Sequence, residues 1–83
     1  MSGFRRPNPV FSDEYCALRE ALIAARRRAR LSQRALAARI GKCGSHVCMI
    51  ERGQRRIDVL EFYQIARALD IDPGTTLTAA FES

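Results

Sequence analysis

The stretch ARIGKCGSHVCMIERG, residues 38–53, constrains the chain more than any other part of the sequence. A helical pattern stops at Gly41, restarts at Cys43-Gly44 and stops again at Gly53, so the restarted run has only two helical turns. A helix that short is unstable alone in water and persists only where one face packs on neighbouring elements. Its flanks carry Lys42 on one side and Arg52, Arg55 and Arg56 on the other. A chain folding only to bury a core has no use for so short a helix between cations. The run is expected to exist for what its outer face displays.

The surrounding sequence supplies the helices to pack it. Ser12 is a candidate N-cap, followed by Asp13 and Glu14, where the helix dipole favours negative charge. Leu18, Leu22, Ala25 and Ala29 then recur at helical spacing, and Arg26, Arg27 and Arg28 fall at the C-terminal end. Ser32 caps a second helix with Leu36, Ala37 and Ile40 on one face, ended by Gly41. The third runs from Gly44 to Arg52, with Val47 and Ile50 facing inward. Val59, Phe62, Ile65, Ala66 and Leu69 mark a fourth amphipathic helix. After Asp72-Pro73-Gly74, Thr75 or Thr76 caps a fifth that reaches Phe81. No segment alternates β-branched and polar residues over five positions, so the expected fold is all-α. RRPNPV near the start has two prolines that keep the backbone extended, which makes residues 1–11 a flexible basic arm ahead of a domain over 12–83.

Charge is distributed unevenly along this frame. The net charge is +5, yet residues 31–56 alone carry +5, with Glu51 their single acid, and residues 57–83 carry −4. A basic middle and an acidic end favour an extended anionic partner on one side of the molecule. Of the 14 cations, 13 are Arg, the side chain suited to bidentate phosphate and base-edge contacts.

Other classes find little support. With 83 residues the chain accommodates one domain, and at that size only ~60–65% of the unfolded surface is buried, so pairing would add stability. There is a single His, His46, no Ser/His/Asp arrangement and no phosphate-cradling glycine loop, so an enzyme is not expected. Cys16, Cys43 and Cys48 lack metal-ligand spacing and read as small buried or half-buried thiols, with no metal or cofactor. No apolar run approaches the ~18 residues that cross a bilayer, and the beginning lacks a signal-peptide pattern, so the expected location is cytoplasmic.

Two helices of eight or nine residues joined by a turn that starts at a glycine make a helix-turn-helix. The sharp bend calls for positive φ at Gly41, and close helix approach calls for a small residue at Ala37. Leu36, Ile40, Val47 and Ile50 provide the apolar inner faces. Gly44, Ser45, His46 and Met49 then form the outer face of the second helix, which fits a DNA major groove.

With these residues placed, residues 18–72 resemble the Cro/CI-type (XRE) family of helix-turn-helix regulators. LSQRALAARIG, SHVCMIERG and LEFYQIARALDI carry the match, above all Ser32-Gln33, Ala37, Gly41, Val47, Ile50, Glu51 and Gly53. The resemblance implies a compact five-helix, lambda-repressor-like domain with the helix-turn-helix at helices 2 and 3. It also implies roles for individual residues. Gln33 would bond a phosphate at its helix N-terminus, with Lys42, Arg52, Gln54, Arg55 and Arg56 as further phosphate contacts, while Arg34 faces outward ambiguously. Ser45, His46 and Met49 would meet base edges, His46 alternatively phosphate, and Gly44 would offer only its backbone and close approach. Arg26 and Glu51 match a partly buried ion pair in relatives, although Arg26 is otherwise one solvated member of an arginine run. Arg5 and Arg6 are arm residues that enter a minor groove, wrap the duplex or stay disordered. Cys43 replaces the usual Ser or Thr N-cap, where Lys42 and the helix end favour a thiolate responsive to oxidants.

The function implied is a double-stranded-DNA-binding transcription regulator, a repressor acting as a homodimer on a pseudo-palindromic operator. Tyr63, Leu77 and Phe81 are spare apolar residues for the dimer surface. Glu61 either touches RNA polymerase or is solvated. The alternative is an antitoxin that holds a toxin and binds DNA to regulate itself.

Overall fold

The computed structural model describes residues 12–82, and the expected arm, including Arg5 and Arg6, lies outside them. Five helices follow one another: α1 (Asp13–Arg28), α2 (Gln33–Arg39), α3 (Gly44–Glu51), α4 (Val59–Ala68) and α5 (Pro73–Glu82). Among the described residues there is no strand.

Side chains just ahead of the helices start four of them. Ser12 Oγ accepts from the Tyr15 N–H at 3.1 Å, and Ser32 Oγ accepts from the Ala35 N–H at 3.0 Å. Asp58 and Glu61 form a capping box at α4, with the Glu61 N–H donating to Asp58 Oδ1 at 2.7 Å. At α5 the cap is Asp72, whose Oδ2 accepts from the Thr75 N–H at 2.8 Å, rather than Thr75 or Thr76. The reason is Pro73: its fixed φ and missing N–H suit the first helical position, which places the cap one residue earlier. Only α3 differs, since Cys43 at its N-cap makes no side-chain cap bond.

The C-terminal ends of α1 to α4 share one geometry. At each, the second residue past the cap donates back to the third-last helical carbonyl: Leu31 to Arg26, Lys42 to Ala37, Gln54 to Met49 and Ile71 to Ala66. This is the Schellman motif, which needs a left-handed residue just past the cap. Gly41 (φ 74) and Gly53 (φ 77) fill that position on either side of α3. Arg30 (φ 61) and Asp70 (φ 58) fill it at α1 and α4, where a side chain makes the conformation costly.

The core draws on every helix: Leu18, Leu22 and Ala25 from α1, Leu36 and Ala37 from α2, Val47 and Ile50 from α3, Phe62, Ile65 and Ala66 from α4, and Ala80 from α5. Leu69, the α4 C-cap, is buried with them. Ala37 and Ala66 are fully buried, the small residues that let helices approach closely. α3 packs against α2 and α1, while α5 closes the other side against α1 and α4. Tyr15 on α1 ties in the loop before α4, its hydroxyl accepting from the Ile57 N–H at 3.0 Å. Val59, expected on the inner face of α4, is 85% exposed. The buried stripe begins at Glu61 and Phe62, which leaves Val59 at its margin on the first turn.

Candidate nucleic-acid interface

The short α3 is held in place by a polar network at its C-terminal end. Glu51, its last residue, receives Arg26 from α1 as a two-pronged pair: Nε to Oε2 at 2.7 Å and Nη2 to Oε1 at 3.0 Å. The two side chains are only about a tenth exposed. A planar guanidinium facing a carboxylate in this way fixes both groups. Arg26 Nη1 also donates to the Leu31 carbonyl at 2.8 Å, and Gln33 Nε2 donates to Glu51 Oε1 at 2.8 Å. One carboxylate thus links the end of α1, the following turn, the start of α2 and the end of α3. Arg26 is a paired residue here, not a solvated member of the run.

The outward side of α3 follows from where Val47 and Ile50 are buried. Ser45 and Met49 are exposed, Met49 at 41%, and Arg52 follows them on the same helical phase. Gln33, Arg34, Gly44, Ser45 and Cys48 line one shallow depression between α2 and α3. This brings together three expected contact residues and adds Arg34 and Cys48. Cys48 was legible from spacing, since Ser45, Cys48, Met49 and Arg52 stand at i, i+3, i+4 and i+7. A Cβ on Gly44 would meet Arg34 Cα and Cβ at 3.6 Å, ordinary contact, so Gly44 sits where the two helices nearly touch without glycine being compulsory.

His46 takes another direction. It is expected on the outer face, but its side chain is 12% exposed and its Nε2 lies 2.9 Å from Glu61 Oε2 on α4, without an aligned hydrogen bond. The physical reason is its phase: residue 46 lies beside Ile50 on the edge of α3 that turns toward α4. Glu61 is 5% exposed, so it is neither solvated nor a surface contact. Its Oε2 also receives Arg55 Nη2 at 3.2 Å. Arg55 is therefore partly engaged within the molecule, its side chain 44% exposed. Lys42, Arg52, Gln54 and Arg56 are exposed around α3 and the loop after it.

Cys16 and Cys48 are half-buried, whereas Cys43 is exposed, against the expectation of three sheltered thiols. Its Sγ lies 3.2 Å from Ser45 Oγ. That hydrogen bond, then the backbone at His46, holds the Cys43 thiol below its ordinary range. The spare apolar residues do not form one surface. Leu77 and Phe81 line a largely apolar groove with Tyr15 and Leu18 between α1 and α5, while Tyr63 lies beside Arg39, Ile40 and Arg67 on α4. Among the described residues no group of three His, Cys, Asp or Glu is placed to hold a metal, and no helix is long and apolar enough to cross a membrane.

Two short packed helices, a left-handed glycine between them and an outward face ringed by cations define a helix-turn-helix of the DNA-binding class. The sequence profile of the helix-turn-helix family HTH_3 matches residues 22–75. A solved structure described as an XRE-family like protein from Pseudomonas syringae pv. tomato str. DC3000 superposes with a TM-score of 0.79 at 38% sequence identity, over 83% of this chain and 84% of that one. No curated protein is similar enough to count as a match. The chain belongs to the XRE-type helix-turn-helix family, which makes it a DNA-binding transcription regulator.

Proposed function

We propose that the protein is a sequence-specific repressor that binds a pseudo-palindromic operator as a homodimer, each subunit laying α3 in the major groove. The observation that carries this reading is the anchoring of α3 by Arg26, Glu51 and Gln33, which presents Ser45 and Met49 outward in a fixed pose. Ser45 donates or accepts at a base edge, and Met49 makes apolar contact suited to a thymine methyl. Lys42, Arg52, Gln54, Arg55 and Arg56 hold the phosphates on either side, with Gln33 and the α2 N-terminus beside them. Gly44 contributes its backbone at the closest approach. Two side chains read few bases, so DNA shape supplies part of the specificity.

One α3 spans only four or five base pairs, so two-fold pairing with half-sites ~10 base pairs apart gives a useful site length. The groove of Leu77 and Phe81 between α1 and α5 supports pairing, because it is a largely apolar surface left exposed. Repression needs no more than occupancy of a promoter by such a dimer. The cytoplasm, where the DNA lies, is the corresponding location.

Selection from a random duplex pool at about physiological salt tests the proposal, since non-specific binding is weakened there. Enrichment of a pseudo-palindrome with half-sites one turn apart is the expected result. Uniform weak binding without enrichment would sink the specific-regulator reading and favour a role in holding a protein partner such as a toxin.

A further inference from the structure

The reading helix meets two sheltered carboxylates, and only Glu51 is its own. The N-terminal half of α3 has no matching anchor, since Cys43 makes no side-chain cap bond. Its polar contact with the rest of the fold is His46, whose Nε2 faces Glu61 Oε2 at 2.9 Å without an aligned hydrogen bond. The same oxygen takes Arg55 Nη2 at 3.2 Å, from the loop that follows α3. Glu61 is itself immobilised: it is 5% exposed, and its Oε1 accepts from the Asp58 N–H at 3.4 Å within the capping box. One fixed carboxylate oxygen therefore stands between a side chain of the reading helix and a guanidinium of the phosphate-binding loop.

Affinity alone does not account for this arrangement. A carboxylate beside a loop that holds phosphates opposes DNA binding, and a neutral residue there would bind the polyanion more tightly. What the charge supplies is geometry. Arg55 keeps one edge on Glu61 and, at 44% exposure, turns the rest of its five-donor fork outward. A phosphate gripped by that fork is then at a fixed offset from α3.

We propose that Glu61 is a positioning residue for sequence discrimination: by joining Arg55 to His46 it sets the register in which Ser45 and Met49 meet the bases. The proposal rests on α3 being the reading helix and deepens that reading. Without the carboxylate, Arg55 is free to follow any phosphate and the N-terminal half of α3 loses its polar neighbour on α4. The protein then binds DNA as well as before and reads it less well.

The test starts from the duplex enriched by the full-length protein in random-pool selection, paired with a scrambled duplex of the same composition. Wild type, Glu61→Gln and Glu61→Asp are titrated against both, with folding followed by circular dichroism. Glu61→Gln removes the charge but keeps the capping-box bond, since Gln serves at that position. It is expected to bind the scrambled duplex at least as tightly as wild type. Its preference for the enriched duplex should fall roughly tenfold, the size of one lost base-pair contact. Glu61→Asp keeps the charge but withdraws it by one methylene; it should lose preference too, and it decides the matter if Glu61→Gln does not fold. An unchanged preference, or an equal loss on both duplexes, overturns the proposal. If the wild type enriches no sequence, the specific-regulator reading fails first and takes this inference with it.

Discussion

Cys43 and Asp72 show how much the chemistry of one residue depends on a neighbour three positions away or nearer. Cys43 is exposed and its thiol is lowered chiefly by Ser45, so thiolate is more abundant near neutrality than in an isolated cysteine. Cys43 should therefore be alkylated faster than Cys16 or Cys48, and Ser45→Ala should slow its reaction at pH 7.5, as mass spectrometry of the labelled peptides would report. Asp72 is shifted in the same sense, here with a consequence for stability. The Thr75 hydroxyl and N–H hold its carboxyl below the usual carboxylate range, so the folded state favours the charged form. The cap then stabilises fully above the unfolded carboxylate value and is lost as pH falls through the lowered folded one. Thermal melts should show Asp72→Ala less stable than wild type at pH 6. The difference should narrow below about pH 4, where the unfolded carboxylate gains its proton.

At the level of elements, helix ends were the most legible part of the sequence, because they depend on residues within a few positions. Ser12 and Ser32 as caps and Gly41 and Gly53 as left-handed stops follow from local backbone chemistry, and so does the presence of five helices. His46 and Glu61 were misplaced for a physical reason. Each sits at a helical phase between the inner and outer faces, and its partner lies fifteen residues away, which periodicity does not register. A polar residue at such a margin reads as outward, yet burial is tolerated once a partner is present. The network around Glu51 makes the sharpest energetic statement at this scale. Glu51→Ala leaves Arg26 sheltered without a counter-charge, which should cost about 3 kcal/mol, or a melting temperature roughly 12–24 °C lower in a domain this small. Replacing both partners, Arg26→Met with Glu51→Leu, should cost less than Glu51→Ala alone, and urea titrations of Arg26→Met, Glu51→Leu and the double variant would measure the coupling.

Across the whole molecule, the basic middle of the chain and its acidic end make DNA affinity strongly dependent on ionic strength. With roughly 4–6 phosphates neutralised per subunit, a dimer should lose affinity with a slope of about −7 to −11 in log K against log salt, as titrations between 50 and 200 mM would show. A slope near −2 would mean that the exposed cations around α3 do not carry the contact. The Schellman ends described above have a different consequence, one that bears on engineering rather than recognition. Glycine stands at the two ends that flank α3, while Arg30 and Asp70 hold strained left-handed backbone elsewhere. Thermal headroom thus remains in the scaffold at positions outside the reading helix. Arg30→Gly should raise stability by about 1 kcal/mol, the left-handed penalty of a side chain. That is ~4–8 °C in melting temperature for a domain of this size, with base preference in pool selection left as it is. A regulator of this kind can therefore be hardened against heat without being retaught its operator.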